Sequence, residues 1–330
     1  MSEHLERSEN VASEAVDLSI VSSLYLSSGH VEEFVRRAIR AAEGLGVSFE
    51  VVLVNDGSPD DSLDKALALA RRDSRILVVD LSRNFGHHMA FMAGVDHAKG
   101  RRLFLIDSDL EEEPEWLDRF WDQMESSGGD VVYGVQRQRS GGLWKRWTGQ
   151  AFYRVFNAIS EQTIPANPCT VRLMTGRYAE ALRRLRDRNL FLAGNYAWAG
   201  FHQVPLPVQR ERPHSLTTYT PLRLFRLFVD AVVSFSATPL RWIFFLGLSI
   251  SSLSGLVGLA ILVRKIVDPS RVLVGWASVM VSVWFLGGTI ILISGVLGLY
   301  VGAVFVETKH RPPYLVRAVH RPGGTDGGRP

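Results

Sequence analysis

The sequence predicts an α/β domain on a mostly parallel sheet, followed by an amphipathic interfacial helix and two membrane-crossing helices. Three observations carry this. Apolar runs alternate with charged, helix-patterned stretches through residues 1–230, the order that builds a parallel sheet with helices on both faces. The apolar run Arg102-Leu103-Phe104-Leu105-Ile106 reads as a buried strand and ends in Asp107-Ser108-Asp109. Finally, no charged residue occurs from Trp242 to Val263 or from Val272 to Val306. Each stretch exceeds the roughly 20 residues that cross a bilayer as a helix.

Asp17–Leu24 is the first expected strand. A helix follows over about residues 30–43, with Val31, Phe34, Val35, Ala38 and Ile39 on one face. Phe49–Val54 is the second strand and runs into Asn55-Asp56-Gly57-Ser58. Asp61 or Ser62 can cap the next helix, which carries Leu63, Ala66, Leu67 and Ala70. Arg75–Asp80 is the third strand, Met89–Ala98 a helix, and Arg102–Ile106 the fourth strand. A short helix over Trp116–Met124 precedes a strand at Asp130–Gly134. Residues 141–147 suit a loop and Gln150–Ile159 a helix. Pro221–Phe235 is basic and amphipathic, as an interfacial helix before a membrane span should be. The expected organisation is a polar N-terminus (1–16), the α/β domain (17–219), the interfacial helix (220–238), two spans (239–306) and a disordered basic tail (307–330).

Composition narrows the function. The first strand is not followed by GxGxxG, and no GxxxxGK[ST] occurs, which disfavours dinucleotide and P-loop sites. Cys169 is the only cysteine, so no intramolecular disulfide can form, as suits a reducing compartment. No Cys/His cluster has zinc spacing. The net charge of +3 leans on membrane flanks and tail, which suits anionic headgroups rather than nucleic acid. Arg223, Arg226 and Arg241 before the first span, and Lys309, Arg311, Arg317 and Arg321 after the second, place both flanks in the cytoplasm. The first seventeen residues lack an apolar signal-peptide core. A multi-pass protein of the inner (plasma) membrane, with its main domain and both termini cytoplasmic, is expected.

Carboxylates at the carboxyl edge of a parallel sheet face the crevice where open α/β folds bind ligands. Alternation along an extended segment points Asp107 and Asp109 to one side. Together they can hold a hard divalent cation, Mg²⁺ or Mn²⁺, which would neutralise a diphosphate.

Several segments recur, in this order and spacing, in one family. They are Val54–Asp60, Ser82–His88, Ile106–Leu110, Asp130–Gly134, Phe152-Tyr153-Arg154, Val171–Met174 and Ser234–Arg241. The chain from about residue 17 to 306 resembles the family-2, GT-A-fold polyisoprenyl-phosphate glycosyltransferases, relatives of dolichol-phosphate mannose synthase. The resemblance implies transfer from a nucleotide sugar to polyprenyl phosphate at the cytoplasmic face of the bilayer, and is compatible with a homo-oligomer. It implies that Tyr25 and Asp56 contact the nucleotide, and that Asp107 and Asp109 hold the metal on the diphosphate. Arg212 would lie near phosphate, and Arg137, Arg139 and Lys145 would serve the acceptor phosphate.

Four positions depart from the family pattern. The Pro-Val-Tyr-Asn-Glu run that usually ends the first strand reads Ser23-Leu24-Tyr25-Leu26-Ser27 and lacks the acid. The Gln after the acidic motif is Glu111. An Asp often found two residues before the Arg of Arg-Leu-Met is Thr170, and the usual Ser-Lys-Tyr is Thr217-Thr218-Tyr219. Chemistry tolerates the loss at Thr170. A hydroxyl acceptor needs a general base, whereas a phosphate monoester is already an anion at neutral pH. Single-displacement inversion is therefore expected. Processive polysaccharide synthases usually carry Gln-x-x-Arg-Trp, which neither Arg146-Trp147 nor Arg241-Trp242 completes. The remaining rivals are a non-catalytic, membrane-anchored nucleotide-sugar-binding partner and a glycosyltransferase with another acceptor.

Overall fold

The computed structural model describes residues 16–136, 168–185, 192–209, 238–267, 275–321 and 324–327. The chain divides into a sheet unit, to which residues 312–330 return, and a helical unit that includes residues 219–311.

In the sheet unit the order is β1 (Leu18–Leu24), α1 (Val31–Leu45), β2 (Phe49–Asn55), α2 (Ser62–Arg72), β3 (Ile76–Leu81), α3 (His87–His97) and β4 (Arg102–Leu105). A 3-10 turn at Pro114–Trp116 leads into α4 (Leu117–Ser127) and β5 (Val131–Gln136). Then come β6 (Pro168–Thr175), α5 (Gly176–Arg184), α6 (Leu192–Trp198) and β7 (Gln203–Val208). The helical unit contributes α7 (Thr238–Val267) and α8 (Trp276–Thr308), after which the chain closes with β8 (Val316–Arg321) and β9 (Gly324–Gly327).

One nine-stranded sheet runs β7-β5-β6-β4-β1-β2-β3-β8-β9. The block β4-β1-β2-β3 is parallel throughout, while β6 joins β4 antiparallel. Strand order reverses at β1: β2 and β3 extend one way and β4 lies on the other side, which opens a crevice at the carboxyl ends of β1 and β4. Alternating side chains feed two cores. Ile20, Leu53 and Phe104 pack with Phe34 of α1 and Phe120 of α4 on one face. Val21, Val54 and Leu105 pack with Phe91 of α3 and Tyr178 of α5 on the other. The four parallel strands are buried on both faces, which explains their continuous apolar runs.

The strands and helices expected up to residue 134 are all present, with ends moved by a few residues. Asp61 stands at the cap of α2 without a side-chain capping bond. Asp60 takes that role, accepting the Ser62 amide at 3.1 Å. The structure corrects the expectation of a disordered tail. Residues 316–321 pair antiparallel with β3, and β9 pairs with β8. The Pro, Gly and Arg content reads as disorder, but Val316-Arg317-Ala318-Val319-His320 is strand-forming and β3 would otherwise present an open edge. Tyr314, Val316 and Val319 pack half-buried against the α3 side of the core.

The two long uncharged stretches fall largely in the helices α7 and α8. By length and composition, the one segment among the described residues apolar enough to cross a membrane is Phe285–Thr308 in α8. α7 nevertheless exposes Trp242, Phe244, Phe245, Leu248, Leu253 and Leu256. The expected loop at 141–147, the helix at 150–159 and the interfacial helix at 221–235 lie outside the described residues.

Candidate active site

Three loops leaving β1, β2 and β4 converge at the crevice. Asp56 follows β2 and is buried. Its carboxylate accepts the backbone N–H groups of Phe85, at 2.7 Å, and Gly86, at 2.9 Å. Burial pushes its pKa up, and these two donors oppose the rise. Asp56 thus fastens the segment that enters α3. Gly57 makes the close approach possible: its φ is +59°, and a Cβ there would lie 2.5 Å from the Asn84 nitrogen.

Asp107 and Asp109 follow β4, as expected. Asp109 Oδ1 accepts the Glu111 amide at 3.0 Å, closing a turn in which Leu110 takes a positive φ of 63°. The Asp107 side chain retains 20% of its surface, and Asp107 Oδ1 lies 3.5 Å from His87 Nε2. His87 Nδ1 meets Ser23 Oγ at 3.1 Å, and its ring packs edge-on against Phe91. Although the His87 side chain is 43% exposed, burial within this packing lowers its pKa to about 4, against the pull of Asp109 and Asp56. The ring is therefore neutral at pH 7. A neutral ring serves both contacts only with the proton on Nε2, so that Nδ1 accepts from Ser23 and N–H faces the carboxylate.

The altered run after β1 is held by hydroxyl groups. Tyr25, Leu26 and Ser27 donate their amides to Ser27 Oγ (3.1 Å), Ser58 Oγ (2.8 Å) and Ser62 Oγ (3.0 Å). The Ser28 amide donates to Asp60 Oδ2 at 3.1 Å. Ser27 Oγ also meets Ser108 Oγ at 3.0 Å, inside the acidic motif, and Ser108 Oγ donates to the Ser23 carbonyl at 2.9 Å. The missing acid is thus replaced by a serine lattice that ties β1 to β4, and Tyr25 stands 49% exposed at the rim.

Asp60 is the anion at the centre of that lattice. Burial alone would raise its pKa, but hydrogen bonds from Ser58, Ser62 and the Ser28 amide hold it at about 2. Its folded value lies below the ordinary 3.8, so its contribution to stability is present above about pH 4 and is lost as pH falls towards 2. Asp60→Asn should flatten the acid side of a plot of thermal midpoint against pH. An unchanged acid slope would remove Asp60 from this role.

Arg172 belongs to the Val171–Met174 segment. It lies on β6, and in the strand register Leu105, two residues before Asp107, pairs with it. The residue is 5% exposed, its guanidinium sits 3.3 Å from the centroid of the Tyr196 ring, and Nε donates to the Thr170 carbonyl at 3.2 Å. Among the described residues no carboxylate lies within ion-pair distance of it. Burial raises the Tyr196 pKa, while Arg172 lowers it and Asp107 raises it, so all three share one environment. Beside Thr170, Glu112 is fully buried and accepts the Thr170 amide at 3.0 Å, tying the start of β6 to the acidic loop. Sequence spacing alone gives no sign of that contact.

Asp130 serves the scaffold. It accepts from Arg177 Nε and the His202 amide, joining β5 to α5 and to the entry of β7. Arg137, Arg139, Lys145 and Arg212, expected at phosphate, lie outside the described residues.

A mixed, mostly parallel sheet with paired carboxylates after β4, beside the strand-order reversal, is a GT-A-like fold. The chain belongs to glycosyl transferase family 2, whose model matches residues 19–192. A protein of Mycobacterium tuberculosis (strain CDC 1551 / Oshkosh) described as putative glycosyltransferases is 42% identical over 303 residues, 92% of this chain and 88% of that one. The bactoprenol glucosyl transferase of Shigella phage SfII is 33% identical over 308 residues, 92% of this chain and 98% of that one. The prophage bactoprenol glucosyl transferase homolog of Escherichia coli (strain K12) is 32% identical over 306 residues, with coverages of 92% and 99%.

Proposed function

We propose that this protein transfers a sugar from a nucleotide-sugar donor to polyprenyl phosphate, inverting the anomeric centre, at the cytoplasmic face of a membrane. The carrying observation is the pair Asp107 and Asp109 at the crevice of a family-2 sheet, in a chain similar along its length to bactoprenol glucosyl transferases.

The acidic pair suits Mg²⁺ or Mn²⁺. Such an ion is commonly held by one or two carboxylates, with substrate phosphates and water supplying the other ligands. When bound, the ion would offset charge on the departing diphosphate. The chain's own groups orient and exclude. Asp56 holds the Phe85-Gly86 turn, the serine lattice fixes the Tyr25 rim against which a base can stack, and neutral His87 steadies Asp107. Arg172 offers a buried positive charge beside the acidic motif, where phosphate charge must be matched. An acceptor phosphate oxygen attacks the anomeric carbon, and the bond to the nucleoside diphosphate breaks with its electrons leaving on that group. No proton has to be removed from the attacking oxygen, so Thr170 needs no acidic replacement.

The apolar surfaces of α7 and α8 fit two membrane crossings. In a variant whose single native cysteine is replaced (Cys169→Ala), Ser270→Cys should react with an impermeant maleimide in intact cells. Thr325→Cys should react only after lysis. Labelling of both, or of neither, in intact cells would contradict this topology.

Donor and acceptor are tested by incubating detergent-purified protein with polyprenyl phosphate and a panel of radiolabelled nucleotide sugars. The expected product partitions into organic solvent and forms only with Mg²⁺ or Mn²⁺. Label transferred to a water-soluble acceptor alone would overturn the lipid assignment.

A further inference from the structure

We infer that Arg317, in the strand that follows the last apolar helix, is a positioning residue for the Asp56 loop. The inference rests on reading that loop as part of the nucleotide site. β8 begins eight residues after α8 ends and lies along β3, the strand whose exit leads to the Phe85-Gly86 turn. Ser82 donates its amide to the Leu315 carbonyl at 2.9 Å, and Arg317 Nη2 donates to the Ser82 carbonyl at 2.7 Å. Both backbone groups of Ser82 are therefore held by the tail. Beyond Ser82, Arg83 and Asn84 lie against Gly57, and the Phe85 and Gly86 amides bind Asp56. The tail grips this segment at one end, and the Asp56-Gly57 turn grips it at the other.

A second tie runs through charge. Asp80, at the end of β3, has a side chain only 4% exposed, and its Oδ2 lies 3.2 Å from Arg317 Nη1. Its Oδ1 accepts from Asn55 Nδ2 at 2.8 Å, and Asn55 is the residue before Asp56. Among the described residues Arg317 is the one cation within ion-pair distance of Asp80, and removing it leaves a buried carboxylate uncompensated beside the site, a costly arrangement. Tyr314 adds a hydroxyl contact to Asp96 of α3, so the tail also reaches the helix that carries His87. The C-terminal segment is thus a clamp on the floor of the crevice, and Arg317 is its charged jaw.

Hydrogen exchange on the full-length protein tests this without any assumption about substrate. Arg317→Ala should speed exchange of the Phe85 and Gly86 amides about tenfold, with the β1 and β4 amides unchanged. Arg317→Lys should recover most of that protection. Adding Asp80→Asn to Arg317→Ala should recover part, because no buried charge is then left without its partner. Unchanged exchange at Phe85 and Gly86, or an increase spread evenly over the sheet, would overturn the inference. Calorimetry with UDP and Mg²⁺ separates this from the functional reading: Arg317→Ala should weaken UDP about tenfold. A local rise in exchange with UDP affinity unmoved would keep the clamp and reject the loop as a nucleotide contact.

Discussion

Asp107→Asn and Asp109→Asn are each expected to cut sugar transfer by about a thousandfold or more while leaving the thermal midpoint unchanged, since stabilising charge at the departing group is a dominant catalytic term. The substitutions keep shape. An asparagine oxygen at 109 can still accept the Glu111 amide, and one at 107 can still face His87 Nε2. What is lost is negative charge in a crevice that also holds Asp56. That charge is what a divalent cation needs from its ligands. If the pair served only the fold, shape-preserving neutralisation of either member would leave transfer intact. Transfer within about tenfold of the unaltered protein in both variants would therefore reject the mechanism.

Gly57→Ala should be strongly damaging for a single methyl group. Its φ of +59° costs an L-residue about 1–2 kcal/mol before any contact is counted. The added Cβ would also lie 2.5 Å from the Asn84 nitrogen and 2.6 Å from the Arg83 carbonyl carbon, both backbone atoms that cannot swing aside. The turn must open, taking Asp56 away from the Phe85 and Gly86 amides, each worth about 1 kcal/mol or more when left unmade in a buried place. A loss of about 3 kcal/mol or more is expected, together with a raised KM for the donor. Gly44→Ala is the control. That glycine lies within α1 with open space around its Cβ position, so alanine there should be neutral or stabilise by up to about 1 kcal/mol. Equal thermal midpoints for the two variants would show that the Asp56 turn is not tightly packed.

The sheet's parallel half was legible because its strands are buried on both faces and read as continuous apolar runs, punctuated by helices with one apolar stripe. The positions of Asp56, Asp107 and Asp109 after their strands followed from that. The antiparallel additions were harder. β6 and β7 carry Arg172, Pro205 and Pro207 among their apolar residues, and β8 hides in a basic, proline- and glycine-rich tail. Their pairing depends on which edges the fold leaves open, a tertiary fact with no local signature. The site shows the same division. Acid residues are visible in a sequence, but the hydroxyl lattice that replaces one of them spans Ser23, Ser27, Ser58, Ser62 and Ser108, with contacts between loops 32 to 85 residues apart. Serine is too common for such a pattern to stand out. Arg172 and Arg317 were likewise visible only as charges until the sheet placed one beside the acidic loop and the other on Asp80.

The measurement that bears most directly on the proposed reaction is formation of lipid-linked sugar by the purified protein in vesicles containing polyprenyl phosphate, followed before and after chelation of divalent cations. The account predicts product from at least one nucleotide sugar, its loss on chelation, its return with Mg²⁺ or Mn²⁺, and none from Asp107→Asn. Absence of lipid-linked product from every donor, with the sheet domain folded and UDP bound, would contradict it and leave a nucleotide-sugar-binding partner without turnover.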